Sequence, residues 1–209
     1  MQDNELYVKL IEIVKANKSL QRVFGALDEM GITEYYIGAG AIVQSVWNLL
    51  TDRPEDYGIS DVDIVFFDDK NLDAQYEAVL SVQLNEKLDD FPLWLDIKNQ
   101  ARVHLWYKEK FGIELEAYAS LESAIDTWPT TSTALGIRRQ SESVWQLYAP
   151  FGVQDVFDLK IRANNRLITE AIYLNKVNKW QNKWAELQVV EWDDHEVPYV
   201  NQEPIQIRG

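Results

Sequence analysis

Apolar residues recur at helical spacing in "ELYVKLIEIVKAN", where Leu6, Leu10, Ile13 and Val14 fall on one face. "SLQRVFGALDEMG" continues as a second predicted helix, with Ser19 as its N-cap and Gly31 as its stop. The period then shortens. "TEYYIG" reads as a brief strand, "AIVQSVWNLL" as the helix it launches, and "TDRPEDYGIS" as an exposed, turn-rich connection. "DVDIVFFD" is the next predicted strand, and "NLDAQYEAVLSVQLNEKL" a helix capped by Asn71. In "FPLWLDIK" the period of two sets Leu93, Leu95 and Ile97 on one face and Trp94, Asp96 and Lys98 on the other. "QARVHLWYKEKF" reads as helical.

After Phe111 the pattern changes. A capped helix from Ser120 to Thr127 precedes Pro129, and two strand-like runs follow, "ALGIRRQ" and "VWQLYAPF". "VQDVFDLKIRAN" and "ITEAIYLNKVNKWQNKWAEL" are predicted helices, and "EWDDHEVPYVNQEPIQIRG" is either a late strand or loosely ordered. The expected class is α/β, or α+β. Residues 1–111 form a core and residues 112–209 an α+β extension packed on it, or the two make one continuous domain.

Composition narrows the function classes. The chain of 209 residues has no cysteine, which removes disulfides and thiolate metal sites. The start "MQDNELYVKL" lacks a basic region followed by an apolar one, and no apolar run is long enough to span a bilayer, so a cytoplasmic protein is expected. A formal charge of −14 opposes generic nucleic-acid binding, which depends on neutralising phosphates. It permits a small anionic ligand held in a cationic pocket.

The candidate chemistry sits in two stretches. Gly38-Ala39-Gly40, between a strand and a helix, resembles the start of a dinucleotide-binding fingerprint, but Val43 stands at the third glycine position. Asp61 and Asp63 open the following strand; an acidic residue that holds a ribose in that fold would close it. The same polarity counts against phosphatases and glycosyltransferases with an aspartate pair after an apolar strand. On a strand, Asp61 and Asp63 project to one face, roughly 6–7 Å apart along the chain. Such carboxylates repel unless a cation lies between them, and oxygen-only ligands suit Mg2+ or Mn2+. If the strands neighbour each other, Asp96 completes a three-carboxylate cluster; the alternative for Asp96 is a structural pair with Lys98. A glycine turn and helix N-terminus facing a triphosphate, beside three carboxylates holding two metal ions, is equipment for nucleotidyl transfer. In that reading Asp61, Asp63 and Asp96 are catalytic and metal-binding, and Gly38, Ala39, Gly40, Lys98, Arg102 and Arg138 bind the nucleotide.

Secondary residues have simpler alternatives. Asn99 and Gln100 suit loop capping, and His104 alone does not make a metal ligand. Arg138 shares a strand face with Gly136, beyond Thr131, whereas Arg139 is expected to face solvent. His195 reads as part of an acidic tail. In "NKVNKWQNKW", Lys176, Lys179 and Lys183 share one helical face. Their first reading is a solvated face beside a core tryptophan pair, Trp180 and Trp184; the functional alternative is a nucleotide-facing lysine.

The pattern of glycine turn, spacer, Asp-x-Asp and later third Asp resembles the nucleotidyltransferase superfamily of DNA polymerase beta. Ala39 departs from it, standing where that superfamily usually has Gly or Ser, and "TDRPEDYGIS" lengthens the spacer. "GAGAIVQSVWN", "DVDIVFFD", "WLDIKNQARVHLWY", "TALGIR", "APFGVQDVFDL" and "KWQNKW" look like successive blocks of a prokaryotic nucleotidyltransferase family with no settled substrate. The resemblance implies a mixed sheet flanked by helices and metal-dependent transfer of NMP from a nucleoside triphosphate to a hydroxyl or amine of an unknown small-molecule or protein acceptor. Two other classes remain: a binding or interaction module on the same fold that has lost turnover, and a dinucleotide-dependent oxidoreductase.

Overall fold

The computed structural model describes residues 2–194 and 203–208. Two helices open the chain, α1 (Gln2–Ala16) and α2 (Lys18–Glu29). Asn17, not Ser19, caps α2: its Oδ1 accepts from the Leu20 amide at 2.8 Å. Ser19 instead donates to Asp56 at 2.7 Å. There follow β1 (Tyr35–Gly38), α3 (Ala39–Leu50), β2 (Asp61–Phe66), α4 (Ala74–Lys87) and β3 (Trp94–Asn99). Asp73, two residues beyond the expected Asn71, caps α4 by accepting from the Gln75 amide at 2.9 Å.

The stretch read as one helix after β3 is two pieces, a 3-10 helix (Gln100–Leu105) and α5 (Tyr107–Phe111), separated at Trp106, whose φ of −128° is not helical. Then come α6 (Leu121–Ile125), β4 (Gly136–Ser141), β5 (Val144–Tyr148), α7 (Gln154–Phe157), β6 (Lys160–Ile161), α8 (Glu170–Gln181), β7 (Gln188–Val189) and β8 (Ile205–Arg208). The helix expected over "VQDVFDLKIRAN" stops after one turn. Leu159 takes a left-handed φ of 55°, and the chain continues as a strand paired with β7.

Six strands make one sheet in the order β3-β2-β1-β4-β5-β8. Only β2 and β3 are parallel, with α4 as the crossover that parallel neighbours need; the other pairs are antiparallel. The segment beyond residue 111 is therefore no separate layer. Its β4, β5 and β8 extend the sheet begun by β1–β3, and its Ile137, Trp145 and Leu147 share the main core with Ile37, Ile64 and Leu95. The acidic tail ends in β8, an edge strand; His195 lies outside the described residues.

The two faces of the sheet differ. One carries the main core, where α3 is buried at every position from Ala41 to Asn48, its polar Gln44, Ser45 and Asn48 included. The other is covered at one end by a smaller cluster that includes Tyr36, Val65, Leu121, Ile125 and Tyr148. At its opposite end that second face carries Asp61, Asp63 and Asp96 beside Gly38. Alternation along the strands divides them: Val62 and Ile64 fill the main core, and the aspartates between them point the other way.

Candidate active site

The strand registers assemble the carboxylates. Gly38 lies opposite Asp63 on β2, and Asp63 lies opposite Asp96 on β3, so the three form a row across adjacent strands. Asp61 is two residues back on the same face, opposite Trp94. Neighbouring strands are about 4.8 Å apart, which leaves little room for three charges of one sign. Burial, and then repulsion from Asp61 and Asp96, push the Asp63 carboxyl up to about 7; Lys176 and Lys98 offset this only in part.

Each outer aspartate has a partner. Asp61 accepts from the Ser60 hydroxyl at 2.7 Å, and Asp96 pairs with Lys98 at 3.0 Å. Among the described residues no three acidic or histidine side chains converge into a ready-made metal cage. The donor set is nevertheless hard oxygen, and Asp63 is left with an excess of negative neighbours. Asp61 and Asp63 thus fit a hard divalent cation, and Asp96 could join as a third ligand by leaving Lys98.

The glycine turn stands beside this row. α3 starts at Gly38 without a side-chain cap, which leaves first-turn amides for an outside acceptor. The Ala39 amide is not one of them, since it donates to the Leu135 carbonyl at 3.3 Å. Gly38 is glycine for a reason of space. A Cβ there would sit 2.5 Å from the Trp128 ring and 2.9 Å from the Leu135 carbonyl oxygen. Trp128 is itself fixed, its carbonyl accepting from the Asn164 side chain at 2.8 Å.

Between turn, carboxylates and α8 lies a cavity of about 380 Å3. Gly40, Asp61, Asp63 and Lys98 line it on the sheet side, and Lys176, Lys179 and Lys183 face them. The expectation for "NKVNKWQNKW" is therefore half met. Trp180 and Trp184 are core residues, packed edge-on against Trp47 of α3 with ring centroids 5.7 and 5.5 Å away. That clasp sets Lys176 and Lys183 half-buried along the cavity, while Lys179 lines it and stays exposed to solvent. Burial lowers the Lys176 pKa, opposed by the charge of Asp63. Lys183 donates to the Gly58 carbonyl at 2.7 Å.

The "TDRPEDYGIS" insertion makes the bed for this arrangement. Asn48 donates to the carbonyls of Glu55 and Tyr57 at 3.0 and 2.9 Å and accepts from the Trp184 indole at 2.9 Å. Gly58, at φ 70°, lets the Trp184 ring approach where a Cβ would be 2.6 Å away. Arg53 pairs with Glu186 at 3.0 Å.

Other candidates lie elsewhere. Arg102 points away from the cavity, paired with Glu77 at 3.1 Å and donating to the Leu72 carbonyl. Arg138 shares the carboxylate face but sits toward the start of β1, bonded to Glu34 and Gln146 over the Tyr36 ring. Arg139 does not face solvent: it pairs with Asp28 and stacks near Phe24 and Trp145. Asn99 caps the 3-10 helix and holds the 68–71 loop, while Gln100 lines the cavity. His104 is not among the lining residues.

The cavity thus lies between an uncapped helix N-terminus with a carboxylate row on a mixed sheet and the lysine row that faces them. The chain belongs to a nucleotidyltransferase family, whose model matches residues 25–189. Among solved structures it is similar to one described as follows: "The NMR structure of the protein reveals a CCA-adding enzyme head domain". The two are 25% identical with a TM-score of 0.70, over 87% of this chain and 94% of that one. A search of curated proteins finds no match. The fold is thus of the polymerase beta-like nucleotidyltransferase kind, and no helix among the described residues is long and apolar enough to cross a membrane.

Proposed function

We propose that the protein transfers NMP from a nucleoside triphosphate to a hydroxyl or amine acceptor, releasing pyrophosphate, and that it needs Mg2+ or Mn2+. The observation that carries this reading is the row Gly38–Asp63–Asp96, facing the lysines of α8 in a chain of this family. Asp61 and Asp63 would hold the divalent metal, which supplies Lewis acidity toward the triphosphate when bound.

The chain's own groups divide the remaining work. Lys176, Lys179 and the free amides at the start of α3 bind and orient the triphosphate by charge and hydrogen bonding. Lys98 adds a further cation at the edge of β3. Asp96 takes the proton of the acceptor as its oxygen or nitrogen attacks the α-phosphorus and the bond to pyrophosphate breaks. Ala39 contributes its conformation but no free amide. Arg102 and Arg138, held in ion pairs away from the cavity, would act only by leaving them.

The Asp96–Lys98 pair favours one second reading, a nucleotide-binding module without turnover, because it occupies the carboxylate that would serve as base. A screen of α-labelled triphosphates with manganese, against pooled metabolites and proteins, tests the two. Transfer of label with equimolar pyrophosphate supports the enzyme. Metal-dependent binding without any transfer supports the module.

A further inference from the structure

The cavity described above opens into a second lobe of about 560 Å3, to which no role has been given. Lys98, Gln100, Trp128 and Lys179 are among the residues that wall both lobes, so the two form one cleft. The carboxylates divide between them. Asp61 and Asp63 line the first lobe, whereas Asp96 lines the second.

The second lobe is the more aromatic. Tyr107 and Tyr118 line it alone and join Trp106, Phe111 and Trp128, which wall both lobes; Ile168 and Ile172 add an aliphatic side, and Lys98, Lys110, Lys176 and Lys179 stand around it. Both tyrosine hydroxyls are already engaged within the protein: Tyr107 donates to the Leu167 carbonyl at 2.8 Å, and Tyr118 bonds Thr127 at 2.6 Å. These residues therefore offer a guest ring surface and not polar handles. Trp106 and Tyr107 are tilted by 42° and Tyr107 and Phe111 by 47°, so these rings are not stacked face to face. A volume of this size suits one small molecule.

We propose that this aromatic lobe is the acceptor site, and that the acceptor is a nucleoside-sized molecule with a flat ring and a hydroxyl group. The assignment rests on the transferase reading. The ring packs among Trp106, Tyr107, Phe111 and Tyr118, where aromatic contact contributes without demanding one hydrogen-bond pattern. The hydroxyl meets Asp96 at the junction of the lobes. The acceptor O–H gives its proton to Asp96, its oxygen bonds to the α-phosphorus, and the α–β phosphoanhydride bond breaks with its electron pair leaving on pyrophosphate.

Asn175, an exposed residue of α8 that lines only the second lobe, supplies the test. Calorimetry on the full chain, with magnesium and a non-hydrolysable ATP analogue present, measures a panel of small molecules. Adenosine, guanosine, cytidine, uridine and tyrosine carry flat rings; glucose, glycerol and serine do not. At least one ring compound is expected to bind ten-fold or more tightly than every ringless one. That binding should weaken at least ten-fold in Asn175→Trp, which fills the lobe, and in Tyr118→Ala, which removes a wall, while affinity for the ATP analogue moves less than two-fold. Ring compounds that bind no better than ringless ones would overturn the assignment, as would selective binding that survives Asn175→Trp. A short RNA that binds ten-fold more tightly than its own terminal nucleoside would also overturn it. Since none of these readouts needs turnover, a failure of label transfer alone strikes the transferase reading and leaves the lobe judged separately.

Discussion

Ala39 holds a left-handed backbone, φ 49°, at the first residue of α3. An L-residue with a Cβ is strained there by about 1–2 kcal/mol, and glycine is not. Ala39→Gly should therefore stabilise the protein by about 0.5–1 kcal/mol after the unfolded-state entropy of glycine is counted. A denaturant titration checks it. Asp63 stores strain of another kind. Burial, and then Asp61 and Asp96, push its folded carboxyl up to about 7 from an ordinary 3.8. Between those two values the folded state binds the proton more tightly than the unfolded state does. Metal-free stability should therefore be full near pH 4, fall as the pH rises to about 7, and stay level above that. Asp63→Asn should flatten that slope and, at pH 8 without metal, gain about 1–2 kcal/mol while losing transfer activity. Melting curves in EDTA across this range measure the effect.

At the scale of elements, the site depends on how α8 is seated. Trp180 and Trp184 grip Trp47, and Asn48 ties the Trp184 indole to two carbonyls of the 51–60 loop. Asn48→Ala would leave buried polar groups without partners and should cost about 2–4 kcal/mol. It should also weaken triphosphate binding several-fold, because Lys176 and Lys179 lose their fixed aim; Trp184→Phe should show a milder form of both effects in melting and calorimetry. This seating also marks the limit of what the residues reveal. Alternation in "DVDIVFFD" and "FPLWLDIK" is enough to set Asp61, Asp63 and Asp96 on faces away from the apolar core. Nothing in that alternation says that β2 and β3 pair in parallel with Asp63 opposite Asp96. The lysine row was visible in "NKVNKWQNKW", yet helical spacing cannot tell a cavity from open water. Only contact with Trp47, more than 130 positions earlier, decides which way the row looks.

At the scale of the molecule, a strongly acidic chain gathers lysines on one wall of one cleft and carboxylates on the other. The six-stranded sheet runs through both halves of the sequence, so the pattern change near residue 111 marks a shift of element type and not a break in the core. The turn at Leu159 and the non-helical Trp106 escaped the sequence reading for local reasons, whereas the late strand offered as one of two readings of the tail is β8, whose partner β5 lies some 60 residues away. The carboxylates stand where the two lobes meet, and Asp96 decides what that meeting accomplishes. As acceptor base it should be nearly irrelevant to triphosphate affinity and essential to turnover; as a mere partner of Lys98 it should matter to stability alone. The most direct measurement is pyrophosphate release by Asp96→Asn relative to the unaltered protein, with melting temperature and triphosphate affinity taken on the same preparation. We expect a folded variant, affinity within a few-fold, and turnover down by roughly 10²-fold or more. Undiminished pyrophosphate release from a well-folded Asp96→Asn would contradict the account.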